Sequence, residues 1–441
     1  MESTKITSVI RRIILSLLLV NASIGPAQAL VEKVEITQKP VVDRNSSTVT
    51  LRVKVTGKNN KPVPLEEQDF SLKIDCNSRR YNCQEIGSKE WKDWKNPKEA
   101  KPPPAFIIVL LDFSGSMKGT DSGGRKKYAA AIQAIRGFVD ALSDRSPDTE
   151  LAIVPFGGDE YSESSCPYDK LISSAELNRF FYVTDEKHSI HLENLEDRKP
   201  CAQTTNLYGS LSEAVRLLGN SRDARFHPEE EENEPPKPQP KLSIILLYDG
   251  YHTADSEAQE EEEFQELMRL LERDEEIGKI TIHTLGYGRT PEYLQKKYGL
   301  SRLATRQDVR KHAGLENEFV DRERLGEIAE KAGGIAEFSA NASEVAQKLK
   351  EFLDAVLGEY EISYIQPNAD RVEVHEVQVV VNSANGVVES EPSDYNFPWV
   401  PPSPSAKARK WLLLFAFILL VGGGLVPFCF WAKLRKILIT L

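Results

Sequence analysis

Apolar residues follow two different patterns along the chain. Between positions 103 and 357, short continuous apolar runs alternate with stretches in which apolar residues recur every three or four positions. The run 105–111 has the length of a strand that is buried on both faces, and 242–247 and 280–285 are further predicted strands. The stretch after the first run predicts a helix with one apolar face, formed by Tyr128, Ile132, Ile135, Val139 and Leu142. This alternation predicts a doubly wound α/β fold, in which helices flank a mostly parallel sheet.

Strict alternation of apolar and polar residues characterises the segments on both sides of this region. It is clearest over 49–55 and 377–381, and it predicts strands that bury one face. Because two or three such strands are not stable alone, they need partners. We therefore predict a β-sandwich-like module over 30–100 and an α/β domain over 101–358. The strands of 359–397 either complete the same small all-β sandwich or form a second β module.

The first 29 residues have the features of a cleaved secretory signal peptide. Basic residues precede the apolar stretch 13–20, and a small-residue pattern of the form A-x-A ends at Ala29. Asn21, Ser23 and Pro26 interrupt the apolar stretch, which favours cleavage over an uncleaved anchor. We therefore expect residues 1–29 to be a signal peptide that directs the body of the chain out of the cytoplasm.

A second apolar segment lies near the other end of the chain. Residues 411–431 contain no charge, carry a tryptophan at each end and have basic residues on both flanks. About 20 apolar residues suffice to cross a bilayer. We predict a Pro-rich stalk over 398–410, one transmembrane helix over 411–431 and a cytoplasmic tail over 432–441. The predicted location is the plasma membrane, or an equivalent cell-envelope membrane, with the body extracytoplasmic.

The sequence contains five cysteines. Cys429 falls in the predicted transmembrane helix, where we expect an unpaired thiol. The other four allow three connectivities, of which we favour Cys76 with Cys83 and Cys166 with Cys201. A zinc site is the alternative for these four residues, although their spacing lacks paired C-x-x-C knuckles.

Oxygen-bearing side chains follow the first apolar run. Asp112, Ser114 and Ser116 occupy alternate positions on a glycine-containing loop that precedes the predicted helix. Open α/β sheets bind ligands at the carboxyl ends of their strands, where this loop lies. Three oxygens at this spacing can converge on one hard cation. A simpler interpretation is that the two serines cap the helix.

The stretch DFSGSM at 112–117 matches the D-x-S-x-S signature of the von Willebrand factor type A family. The metal-ion-dependent adhesion site of that family also uses a threonine from a second loop and an aspartate from a third. Thr205 in TTNLYGSL and Asp249 after KLSIILLY stand in the corresponding order. The resemblance covers residues 103–357, and it departs from the family at Tyr248, where threonine or serine is usual.

The resemblance implies a function as well as a site. Its metal ligands would be Asp112, Ser114, Ser116, Thr205 and Asp249. The ion would be Mg²⁺, or Mn²⁺ or Ca²⁺, since the donors are all oxygens. In that family the ion completes its coordination with an Asp or Glu carboxylate of a bound protein. The chain is accordingly expected to be a divalent-metal-dependent protein-binding or adhesion module, displayed on a membrane that it enters through its C-terminal helix, and not an enzyme.

Other function classes are less well supported by the sequence. The net charge of −11 disfavours nucleic acid as a partner. A Mg²⁺-dependent phosphatase of the haloacid dehalogenase type needs a second aspartate where Ser114 stands. A serine hydrolase elbow, G-x-S-x-G, needs glycine in place of Asp112. The main alternative is a structural or scaffold subunit of a membrane complex, in which the metal only stabilises the fold.

Overall fold

The structure, a computed structural model, describes most of the chain outside its first 29 residues. The described residues are 30–43, 46–78, 80–157, 174–200, 204–228, 238–370, 373–397, 406–419 and 426–439.

These residues form three sheets. The strands are β1 (Lys33–Ile36), β2 (Val41–Asp43), β3 (Thr48–Thr56), β4 (Phe70–Ile74), β5 (Gln84–Gly87), β6 (Trp91–Lys95), β7 (Ala105–Asp112), β8 (Glu150–Phe156), β9 (Phe181–Tyr182), β10 (Lys241–Tyr248), β11 (Ile280–Tyr287), β12 (Ala336–Ser339), β13 (Tyr360–Ile365), β14 (Val374–Ser383), β15 (Gly386–Glu389) and β16 (Ser393–Asn396).

The α-helices of the described part follow the strands of the central region, with two more near the C-terminal end. They are α1 (Lys127–Arg145), α2 (Ser174–Leu177), α3 (Lys187–Arg198), α4 (Leu207–Leu218), α5 (Glu257–Leu271), α6 (Glu275–Gly278), α7 (Pro291–Tyr298), α8 (Arg306–Val309), α9 (Arg322–Lys331), α10 (Ala342–Leu357), α11 (Ala406–Leu419) and α12 (Val426–Ile439).

The central sheet has six strands in the order β12-β11-β10-β7-β8-β9. Its pairs are parallel except that β9 runs antiparallel to β8. Strand β7 is buried on both faces because its odd and even residues enter different cores. Ile107, Val109 and Leu111 pack with α1 and α10, whereas Ile108 and Leu110 pack with α4 and α5. The two helical layers thus explain why this strand is a continuous apolar run.

Two antiparallel sheets combine strands from both ends of the described body. One has the order β1-β3-β13-β6, with β2 also paired to β3, and the other has the order β15-β14-β4-β5, with β16 paired to β14. Their inward residues form one core, which includes Leu51 and Leu72 from before the central sheet and Ile362 and Val379 from after it. The alternation in the sequence reflects this single buried face.

The predicted fold class is wrong as a description of the whole chain. The central sheet is mixed, because β9 is antiparallel, and the two five-stranded antiparallel sheets are a larger part of the molecule than the small sandwich that we predicted. Strands such as β5, β6 and β9 lack a clear apolar alternation and gain their pairing from neighbours distant in sequence. Local patterns therefore underestimated the antiparallel part.

The predicted transmembrane helix and single-pass location are also wrong. Within residues 406–419 and 426–439, and elsewhere in the described chain, no helix is long and apolar enough to cross a membrane. The stretch 411–431 instead contributes to α11 and α12, which have 14 residues each. At about 1.5 Å per residue, each is shorter than a hydrocarbon core of about 30 Å. Gly422, Gly423 and Gly424, which fall between the two helices in sequence, are poor helix formers.

Three of the five cysteines lie within the described residues. The disulfide between Cys76 and Cys83 is present, as we expected from their spacing. Cys429 is a free, exposed thiol on α12. The predicted pair Cys166–Cys201, the signal peptide and most of the Pro-rich stalk lie outside the described residues.

A buried ion-pair cluster connects the central sheet with the first antiparallel sheet. Glu359, directly before β13, is only 1% exposed. Its carboxylate lies 2.7 Å from Lys241 Nζ at the start of β10 and 3.8 Å from Arg52 Nη1 on β3. Burial lowers the pKa of Lys241, and the charge of Glu359 acts in the opposite direction. This cluster, Lys241–Glu359–Arg52, therefore holds charges of both signs where the two sheets meet.

Candidate functional site

The carboxyl ends of β7 and β10 bring the two predicted aspartates together. Asp112 is the last residue of β7, and Asp249 directly follows β10. The strands are parallel neighbours, with Leu111 opposite Leu247, so both strands end at the same edge of the sheet. Both aspartates are fully buried. Their placement follows from strand register and does not depend on the sequence between them.

Ser114 and Ser116 lie on the loop between β7 and α1 and face the same point. The Ser114 backbone N–H donates to Asp112 Oδ1 at 2.9 Å, which folds the loop back over the strand end. The Ser114 and Ser116 hydroxyls are 2.9 Å apart, and the Ser116 hydroxyl donates to Asp249 Oδ1 at 2.6 Å. Four of the five predicted site residues thus form one connected set of oxygens.

Thr205 lies in the neighbouring loop, which precedes α4. Its backbone N–H donates to Thr253 Oγ1 at 3.1 Å, and the Thr253 N–H donates to the Thr205 carbonyl at 3.0 Å. These bonds join the Thr205 loop to the loop that begins at Asp249. Thr205 is itself buried, and its described hydrogen bonds link it to Asp249 only indirectly, through Thr253 and the chain between them.

Lys127 belongs to the site, although the sequence analysis did not identify it. Its Nζ donates to Asp249 Oδ2 at 2.9 Å, and both side chains are almost fully buried. The available signal was its position in α1, directly before the apolar helix face that begins with Tyr128. A lysine at the edge of such a face usually extends into solvent. Here it points inward because a buried carboxylate is within reach.

The electrostatics of the site are dominated by burial. Asp112 pairs with Phe156 of β8 on one side, and Tyr248 of β10 is its neighbour on the other. The rings of these two aromatics are stacked with centroids 6.3 Å apart. Burial, and next the charge of Asp249, raises the pKa of Asp112 well above its usual range. Of these two buried carboxylates, only that of Asp249 is paired with an ammonium group, that of Lys127, so the set favours additional positive charge.

The space beside these oxygens is left open by a glycine. A methyl group placed on Gly250 would lie 3.8 Å from Ser116 Oγ and 3.9 Å from Asp112 Oδ2. Any side chain at this position would therefore fill the space that both oxygens face. Gly250 gives the oxygen set a small free volume next to Asp249.

Tyr248 is the position at which the sequence departs from the resembled family, and its hydroxyl is unusual. The residue is fully buried, and its hydroxyl has no hydrogen-bond partner in the described part of the chain. We expect Tyr248→Phe to leave the free energy of unfolding unchanged or to raise it by up to about 1 kcal/mol, because an unpaired buried hydroxyl is unfavourable. Urea unfolding of the purified protein measures this difference.

Tyr208→Phe is the matched control for that substitution. Tyr208 is also buried, but its hydroxyl donates to Glu260 Oε1 at 2.8 Å. Its removal should lower the free energy of unfolding by about 1–3 kcal/mol, because the buried Glu260 loses a donor. Equal losses in the two variants would contradict an unpaired Tyr248 hydroxyl.

His252 is the histidine nearest to the site in sequence, and both of its ring nitrogens are used. Nδ1 accepts from the Leu207 N–H at 3.2 Å, so Nε2 carries the proton and donates to Glu263 Oε2 at 2.6 Å. The Ser114 hydroxyl is paired with Ser116 rather than with a histidine. Nothing in this arrangement activates Ser114 as a nucleophile in the way that a histidine base would.

The chemistry of the donors decides which ion the site fits. Among the described residues, no group of three or more His, Cys, Asp or Glu side chains is placed to hold a metal ion. The prediction of a metal centre that is recognisable as such a group is therefore wrong. The set has only two carboxylates, and its other donors are hydroxyls. Oxygen donors of this kind suit a hard cation such as Mg²⁺ and do not suit zinc.

Comparison with known proteins gives no assignment. No protein-family model matches the chain, and no curated protein matches it either. The predicted membership of the von Willebrand factor type A family is therefore wrong. Five signature residues describe a local site, and a local site does not establish kinship of whole chains.

Solved structures resemble the chain only weakly. One is the pilus adhesin SpaC from Lactobacillus rhamnosus GG, with 10% identity, a TM-score of 0.35 and coverage of 85% of this chain and 49% of that one. The chain thus spans about half the length of that adhesin. Another is an adhesive tip pilin from Group B Streptococcus agalactiae, with 9% identity, a TM-score of 0.33 and coverage of 85% and 94%. A Deinococcus radiodurans RO protein follows, with 10% identity, a TM-score of 0.24 and coverage of 58% and 36%.

Proposed function

We propose that the chain is an adhesion or protein-binding module whose binding site lies at the carboxyl end of the central sheet and holds a divalent cation. The residues that would hold the ion are Asp112, Ser114, Ser116 and Asp249, with Thr205 from the adjacent loop. The observation that supports the proposal is the connected set of buried and half-buried oxygens around the two aspartates. A bound Mg²⁺ would supply an electrophilic centre for one further oxygen ligand.

The chain's own residues favour a carboxylate as that ligand. Ser114, Ser116 and Thr205 are neutral donors, and Lys127 already pairs with Asp249, so the set does not fully neutralise a divalent ion. Gly250 leaves the space beside Ser116 and Asp112 free of side chain. An Asp or Glu side chain of a partner protein has the charge for this position. The proposed partner is therefore a protein that presents an acidic side chain.

Lys127 supports a second candidate, in which the site is structural. Its ammonium already neutralises Asp249 at 2.9 Å, as a bound cation would. If this pair is permanent, the oxygen set stabilises the packing of α1 against β10 and binds nothing. The chain would then serve as a scaffold subunit.

A pair of peptides distinguishes these candidates. Water-proton relaxation of the full-length protein with Mn²⁺ reports water bound to the ion. We expect a short peptide with a central glutamate to lower the relaxation rate in a saturable way, since its carboxylate displaces that water. The same peptide with glutamine should leave the rate unchanged. Equal effects of the two peptides, or none with either, would reject a carboxylate-binding site.

A further inference from the structure

A cavity of about 530 Å³ lies at the edge of the central sheet, between α3 and the outer side of β8. Ile153, Pro155, Phe181 and Leu195 provide its apolar surface. Ile190, which also lines it, is 55% exposed, so the cavity is open to solvent. Its volume lies within the range of about 300–1,000 Å³ that is typical of small-molecule sites.

The charge of the lining has one sign. Of its twelve residues none is aspartate or glutamate, whereas three are arginine or lysine and two are histidine. This is unusual for a chain with a net charge of −11. An apolar surface with basic residues complements a ligand that has an apolar body and a negative group.

The positive charge comes from Arg179, Lys187 and Arg198 rather than from the histidines. Burial lowers the pKa of His188 and of His191, so both are neutral near pH 7. Lys187 is partly neutralised by Asp185, 3.2 Å away. Arg179 is exposed and makes no ion pair or hydrogen bond with any described residue. Arg179 is thus the principal anchor for an anion.

The edge of β8 is closed to an additional strand at this point. Strand β9 pairs with Glu150 and Leu151 of β8. The next carbonyl of β8 that faces outward, that of Ile153, already accepts a hydrogen bond from His191 Nε2 at 3.0 Å. A peptide that adds to a sheet edge needs such carbonyls free. The cavity therefore suits a compact ligand better than an extended peptide.

We propose that this cavity is a binding site for an organic anion, one with an aromatic or branched apolar body and a single carboxylate or sulfonate group. The apolar body would lie on Ile153, Pro155 and Leu195, and the anionic group would pair with Arg179. This site is separate from the proposed cation site and does not depend on it.

Two fluorescent probes of matched shape test the proposal on the full-length protein. 1-Anilinonaphthalene-8-sulfonate carries the anionic group, and N-phenyl-1-naphthylamine lacks it. We expect saturable binding of the sulfonate at one site per chain. Arg179→Gln should weaken its binding at least tenfold and leave the neutral probe unchanged. Arg273→Gln, at an exposed arginine on the surface, should change neither.

A second variant locates the probe. Asn194 is an exposed lining residue, so Asn194→Trp fills the cavity from its open side without disturbing the core. It should abolish binding of both probes. The proposal is overturned if binding is not saturable, if Arg179→Gln weakens both probes equally or neither, or if Asn194→Trp retains them. It is also overturned if an acidic β-strand peptide displaces the sulfonate while 4-phenylbutyrate does not.

Discussion

Lys127→Met is expected to lower the free energy of unfolding by about 3–5 kcal/mol in the presence of EDTA, the loss typical of a broken buried ion pair. Asp249 is fully buried, and the Lys127 ammonium is its only charged partner among the described residues. Without it, two carboxylates would share a buried site without positive charge. Urea unfolding with EDTA measures the loss.

Mg²⁺ should reverse part of this loss. At a concentration about 100 times Kd, a ligand that binds only the folded state adds about 2.7 kcal/mol to the free energy of unfolding. The variant should gain more from Mg²⁺ than the wild type, because its carboxylates are no longer neutralised. Lys126→Met is the control, since Lys126 is exposed and donates to the Lys118 carbonyl. Its stability should change by less than about 1 kcal/mol, as for other surface substitutions.

The results that would contradict this expectation are distinct. If Lys127→Met were as stable as Lys126→Met in EDTA, the pair with Asp249 would not contribute to stability. If the loss were found but Mg²⁺ restored nothing, the oxygen set would be structural. The second result would favour the scaffold candidate over the binding module.

Glu359→Ala is expected to have the second large effect, a loss of about 3 kcal/mol or more in the free energy of unfolding. Glu359 is 1% exposed and lies between Lys241 and Arg52, where the central sheet meets the first antiparallel sheet. Removing it leaves two cations close together with little solvent. Glu359→Gln keeps the shape and removes only the charge, so it should lose nearly as much.

Glu389→Ala is the control for a surface ion pair. Glu389 contacts Lys73 Nζ at 2.6 Å, but both side chains are about one-third exposed. Such pairs contribute about 0–1 kcal/mol. Similar losses in Glu359→Ala and Glu389→Ala would show that the buried cluster is no stronger than a surface contact. A loss in Glu359→Ala but not in Glu359→Gln would assign the effect to packing.

The core of the central region could be predicted from the sequence because its two middle strands, β7 and β10, are continuous or nearly continuous apolar runs. Residues 105–111 and 242–247 predicted β7 and β10, and buried helices on both faces explain their composition. The antiparallel part could be predicted only in outline. Strand β3 has a clear alternation, but its partner β13 is more than 300 residues away, and no local pattern specifies such pairing.

At the site, as in the sheets, local patterns predict residues that are close along the chain but not contacts between distant ones. Asp112, Ser114 and Ser116 lie within five positions of each other, so their convergence was evident from spacing. Asp249 was assigned to the site through the family resemblance, and the buried strand before it explains why it lies near Asp112. Lys127 could not be assigned, because a lysine beside an apolar face gives no sign of whether a buried acid is in reach. The transmembrane prediction failed because the described part of this segment forms two helices of 14 residues each, and hydropathy alone does not report helix length.

The most direct test of a cation-binding site is a calorimetric titration of Mg²⁺ into the purified protein and into Asp112→Asn. This substitution keeps the size of the side chain and removes one anionic oxygen from the set. We predict saturable binding of one Mg²⁺ per wild-type chain and no measurable binding to the variant. An absence of heat in the wild type, or an isotherm that Asp112→Asn leaves unchanged, would contradict the proposal that Asp112, Ser114, Ser116 and Asp249 hold the ion.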